Sequence, residues 1–182
     1  MESNNINHKL INKFLSKAGG IFLFGLIPIF LIFLVFYFDK ESLLILKLNE
    51  ISFHDKGSIS SEYILISEIA VSYTLVSTPF LSILLFILWG KYFVMNKTKI
   101  TTYELLKLIS LYGVVFVVFV FFGYFYRNDL IDNTFWNIFG ENYFLLFIYY
   151  VMYFFTYYVI FIMLVIIWFY FPLHYLRYKS VI

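Results

Sequence analysis

Four stretches of this chain run for about the length of a membrane crossing without one acidic or basic side chain, and that limits the fold more than any other feature. They are Ala18–Phe38, Ile69–Trp89, Leu108–Tyr126 and Tyr143–Leu173, and none contains Asp, Glu, Lys, Arg or His. A helix needs about 20 apolar residues to cross a hydrocarbon core of roughly 30 Å. One charge at its centre costs about 2.5–3.5 kcal/mol on insertion scales. A spanning segment must also satisfy its own backbone hydrogen bonds. No porin-like alternation of polar and apolar residues is present, so the expected solution is helical. The expected fold is an all-α membrane protein, residues 1–182 forming a single bundle of four transmembrane helices.

Composition agrees with this expectation. Of 182 residues, 63% are hydrophobic and 13% charged, against about 25% charged in a soluble domain. A net charge of +2 gives no reason to expect nucleic acid as a partner. The placement of charge says more. Lys9, Lys13 and Lys17 precede the first span; Lys91, Lys97, Lys99 and Lys107 lie between the second and third; Arg177 and Lys179 follow the fourth. The first loop carries Asp39, Glu41, Glu50, Asp55, Glu62 and Glu68 with three lysines, and the third carries Asp129, Asp132 and Glu141 with Arg127. The positive-inside rule then places both termini in the cytoplasm. The first apolar run is too long for a typical signal peptide and no small-residue cleavage site follows it before Asp39, so it is expected to remain as a helix. Tyr37, Tyr126 and Trp136 fall near one expected interface; Trp89, Tyr92, Trp168 and Tyr170 fall near the other. The fourth stretch would make a helix of about 46 Å, which must tilt or protrude, with Pro172 expected at its end. In the first loop, an apolar run Leu43–Leu48 precedes a bend expected at Asp55, Lys56 and Gly57. Residues after Ser61 are expected to extend the second helix outward.

Chemistry-bearing constellations are missing. With no cysteine, disulfides, thiol nucleophiles and cysteine metal sites are excluded. His8, His54 and His174 are far apart in sequence. No HExxH motif is present, and no base stands beside a serine or threonine within a span. No enzyme activity, cofactor or small-molecule substrate is expected. Pro28 and Pro79 lie mid-span, either as a paired hinge or simply as tolerated prolines. Ala70, Thr74, Thr78 and Ser82 recur every four residues, a stripe that allows close helix approach and hydroxyl bonding. Tyr149, Tyr153, Thr156 and Tyr157 share a face of the fourth helix, and buried phenols need partners. Either face can serve packing within the bundle or contact with another membrane protein. Gly113 and Gly123 form no GxxxG pair.

Particular segments resemble the immunity proteins for pore-forming colicins of the colicin A type. Gly25-Leu26-Ile27-Pro28 with Ile32-Phe33 and Val35 is similar to that family's first helix. Ser58-Ile59-Ser60-Ser61 with Tyr63 resembles the approach to the second, and Pro79-Phe80 with Leu81-Ser82-Ile83-Leu84 matches within it. Arg127-Asn128 follows the third helix as in the family, and Leu145-Leu146-Phe147-Ile148-Tyr149 opens the fourth. The order and spacing of these segments cover the chain from first helix to last. There are departures: Val76 stands where close relatives carry a lysine, and Leu130-Ile131-Asp132-Asn133-Thr134 differs from their sequence after the Arg-Asn pair.

The resemblance implies a bacterial inner-membrane protein that binds the pore-forming domain of a cognate colicin within the bilayer and keeps its channel closed. Thr74, Thr78, Ser82, Tyr149, Tyr153 and Tyr157 are then candidate contact or packing positions, and Arg127, Asp129 and Asp132 candidate specificity positions in a loop. A small channel or transporter subunit and a membrane assembly partner are the alternatives.

Overall fold

The computed structural model of the chain describes residues 2–54, 56–90 and 102–172. They form six α-helices: α1 Glu2–Phe38, α2 Leu43–Glu50, α3 Ile64–Trp89, α4 Thr102–Val120, α5 Asn137–Glu141 and α6 Tyr143–Val165. Two short strands, β1 Gly57–Ile59 and β2 Arg127–Asp129, lie in the loops. π-Helical turns at Phe121–Phe125 and Ile166–Tyr170 continue α4 and α6. Four helical segments are long and apolar enough to cross a membrane: Lys9–Phe38, Ile64–Trp89, Leu106–Phe125 and Tyr143–Tyr170.

The termini of these helices follow from local chemistry. α1 runs through its whole apolar stretch and stops at Asp39, whose carboxylate accepts the Glu41 N–H at 3.1 Å in a tight turn. Ser42 caps α2 by accepting the Ile45 N–H at 3.3 Å. Asn142 caps α6 through the N–H groups of Phe144 and Leu145, at 3.0 and 3.1 Å. Such caps satisfy donors that the first turn leaves open. α3 begins at Ile64, so it takes in Glu68, which lies outside the second apolar stretch. α6 and its π-turn remain helical through Pro172, the last described residue of that segment. Lys91, Lys97, Lys99, Arg177 and Lys179, on which much of the sidedness expectation rests, fall outside the described residues, as do Asp55 in the expected bend, Tyr92 and His174.

α1, α3 and α6 pack on one another and build the core, with Ile29, Phe33, Leu75, Leu85, Leu146 and Phe154 at its centre. The three helices meet closely at Gly25. A Cβ there would come within 2.7 Å of both Leu81 Cδ1 on α3 and Phe154 Cζ on α6, so the missing side chain sets the spacing of all three. α4 stands apart, touching α6 and its π-turn. Only 6% of its spanning window is buried, against 44% for α3.

The chain is mostly helical, as an all-α bundle requires, and its loops carry a small sheet. β1 and β2 form a parallel two-stranded ladder, Gly57 opposite Arg127, Ser58 opposite Asn128 and Ile59 opposite Asp129. The pairing brings the first and third loops together at one end of the bundle. That is the geometry expected of four successive crossings, whose odd-numbered loops share a side.

Candidate functional site

The two loops build a polar cap over that end. Gly57 N–H donates to the Tyr126 carbonyl at 2.9 Å and Leu130 N–H to the Ile59 carbonyl at 2.8 Å, extending the ladder in both directions. Ser60 Oγ donates to the Gly140 carbonyl at 2.7 Å, and Tyr150 OH reaches the Ser58 carbonyl at 2.9 Å from inside α6. Asp129 accepts the N–H groups of Ser61 and Ile131, at 3.3 and 3.0 Å. His54 Nδ1 lies 2.8 Å from Glu68 Oε2, joining the first loop to the buried acid of α3. Gly57 sits at φ +67°, and a Cβ there would lie 2.7 Å from Val71 Cγ1 and 3.0 Å from the Tyr153 hydroxyl. Only glycine allows this turn to press so closely on the bundle.

Below the cap, phenols tie helices to backbone carbonyls of their neighbours. Tyr73 OH of α3 donates to Gly25 O of α1 at 2.8 Å, and Tyr158 OH of α6 to Ala18 O of α1 at 3.1 Å. Tyr143 OH likewise donates to Phe33 O. In an apolar environment a phenol needs a partner, and a carbonyl has a second lone pair beyond its helical bond. Four tyrosines so placed on α6 (Tyr143, Tyr150, Tyr157 and Tyr158) account for a density that interfacial belts do not.

Pro79 shows why one such tie lies where it does. A proline has no N–H, so the carbonyl four residues earlier loses its helical partner. That residue is Leu75, and its carbonyl accepts the hydroxyl of Tyr124 from the π-turn after α4. The vacated carbonyl is thus an anchor for another helix. Pro28 lies within α1 without ending it. A second anchor for α4 is close by: Tyr157 OH donates to Phe119 O at 3.1 Å, at the entrance to the π-turn. Gly123, buried within that turn, leaves room for the Tyr157 ring, which any side chain there would strike. Phe116 adds contacts with Phe161 and Trp168, at centroid distances of 5.7 and 6.4 Å.

The candidate contact positions divide by exposure. Thr74, Thr78 and Ser82 are fully buried and Tyr157 nearly so. Thr78 Oγ1 donates to Thr74 O at 2.8 Å; Ser82 Oγ donates to Thr78 O at 2.7 Å and comes within 3.4 Å of Tyr158 O on α6. The small-residue stripe therefore lies inside the bundle, and a partner reaches it only if the helices separate. Thr74 Oγ1 and the Tyr153 hydroxyl are buried without a hydrogen-bond partner. Tyr149 is half-buried among Trp136, Phe139 and Tyr153, while Thr156 is exposed. Of the loop candidates, Arg127 and Asp132 are exposed, and Asp129 is half-buried with its carboxylate bonded within the cap. Sequence reasoning missed the pairing of Glu68 with His54, the cap itself and the openness of α4.

Exposed apolar side chains cover α4 and its π-turn, among them Leu111, Val114, Val117, Phe121 and Phe125. Among the described residues, no three His, Asp or Glu side chains gather where they could hold a metal ion. Compared with known proteins, the chain matches no family model, no curated protein and no solved structure.

Proposed function

We propose that the chain is an immunity protein of the bacterial inner membrane. In this reading it binds the pore-forming domain of a cognate colicin inside the bilayer and prevents the channel from opening. The resemblance of the ordered segments supplies the partner. The structural observation that carries the reading is α4, a spanning helix with 6% of its window buried, held by two phenol ties and a few ring contacts. A target already inserted in the bilayer is met sideways, by helix packing, and needs neither charge nor catalysis at the contact. The α4 surface offers such a contact without opening the core. Arg127 and Asp132, exposed on the cap, add rim charge that selects among toxins. Two segments that carry the resemblance, Ser58–Ser61 and Arg127-Asn128, meet across the β1–β2 ladder. The cytoplasmic placement of both termini belongs to the same proposal.

The test is expression in a colicin-sensitive bacterium followed by challenge with a panel of pore-forming colicins, with nuclease colicins as controls. Protection against one pore former and against no nuclease is the expected result. Full sensitivity to every pore former, with the chain confirmed in the inner membrane, would overturn the proposal.

A further inference from the structure

We propose that α2 is an interfacial helix that lies in the headgroup layer of the bilayer, with phospholipid as the partner of its outward face, and that it clamps the cap against the membrane. Both ends of α2 are pinned near the membrane edge. It starts after a link of residues 39–42 from the end of α1, a reach of no more than about 18 Å. Just beyond its C-terminus, Phe53 N–H donates to Ser72 Oγ at 2.6 Å, about two turns into the spanning helix α3. One face is occupied by protein: Ile45 is fully buried and Leu48 and Asn49 are half-buried.

The opposite face is open and mostly apolar, with exposed Glu50 at its edge. Leu43, Leu44 and Ile51 are 76, 51 and 79% exposed. At 100° per residue they fall on one side of the helix axis together with Lys47. Tyr37 and Phe38, at the end of α1 just before the link, are exposed as well. In the chain the patch follows directly on the end of a helix long and apolar enough to cross the membrane. Large apolar residues at this density have no favourable place in water. In the headgroup layer their burial is favourable, and the Lys47 stem can lie along them while its ammonium reaches a phosphate.

The chain has no cysteine, so single nitroxide labels can be placed on the full-length protein in phosphatidylethanolamine/phosphatidylglycerol vesicles. Labels at Leu43→Cys, Leu44→Cys and Ile51→Cys replace exposed side chains and leave the core intact; Glu62→Cys serves as a reference on the cap. The expected result is that oxygen, which partitions into lipid, collides with the three labels more often than a water-soluble nickel chelate does, with the reverse at Glu62. Nickel collisions exceeding oxygen at all three positions would overturn the proposal, because the face would then be aqueous. Exclusion of both reagents from all three would also overturn it, because protein would then cover the face. Spin–spin broadening that disappears on dilution with unlabelled chain identifies that protein as a second copy. Neither overturning result touches the immunity proposal, which is read in the challenge assay.

Discussion

At the scale of single residues, the bundle is held by matched pairs of donor and acceptor placed where lipid offers no substitute. Tyr124 takes the Leu75 carbonyl that Pro79 leaves vacant, and Tyr158 takes the Ala18 carbonyl. Tyr153 has a buried hydroxyl with no partner. The three phenols therefore predict different outcomes on losing their oxygens. Tyr124→Phe and Tyr158→Phe should each destabilise the folded protein in detergent by about 0.6–2 kcal/mol, the range for hydrogen bonds between membrane helices. Tyr153→Phe should be neutral or stabilising, since it removes an unsatisfied polar group. Unfolding titrations of the three variants check the contrast. The tyrosine density was legible in the sequence, as was the need of buried phenols for partners. The partners were not, because they are carbonyls of distant segments, and a carbonyl carries no residue-specific signature.

At the scale of elements, the spans were legible and their attachments were not. Hydropathy is set by composition along the chain, so each of the four stretches marks one long helix, although α1 begins at Glu2, well before Ala18, and α4 at Thr102, before Leu108. The outward extension expected after Ser61 is present, since α3 begins at Ile64; the burial of Glu68 beside His54 was not legible, because it depends on a loop folding back. The β1–β2 ladder joins segments widely separated in the chain by main-chain bonds, which no side-chain pattern announces. Gly57 gave a turn signal in the sequence, but its contact with Val71 and the Tyr153 hydroxyl is a tertiary fact. Gly57→Ala combines a left-handed φ with a clash, so it should free the first loop while the spans stay inserted. Limited proteolysis should then cut between residues 51 and 63 several-fold faster than in the parent chain. Equal cleavage rates would contradict the role given to this turn.

At the scale of the whole molecule, the cap and the openness of α4 divide the work. The cap locks three helices at one end, while α4 remains accessible along the bilayer. Because the first and third loops pair, they must lie on the same side of the membrane. An impermeant maleimide should label Glu62→Cys and Asp132→Cys from one side of sealed vesicles and Lys9→Cys from the other. Labelling of Glu62→Cys and Asp132→Cys from opposite sides would be incompatible with the ladder. The stripe of Thr74, Thr78 and Ser82 was visible as a pattern, yet whether it faced inward or outward was not, because the same spacing suits either packing. Its burial moves the expected partner contact to α4.

An immunity protein of the kind proposed keeps an inserted pore closed, and potassium efflux measures that directly. Cells that carry the chain, treated with the pore-forming colicin identified by challenge, should retain their potassium while toxin is recovered in their inner membrane fraction. Efflux at the rate of unprotected cells, with the chain present at its normal level in that membrane, would contradict the claim.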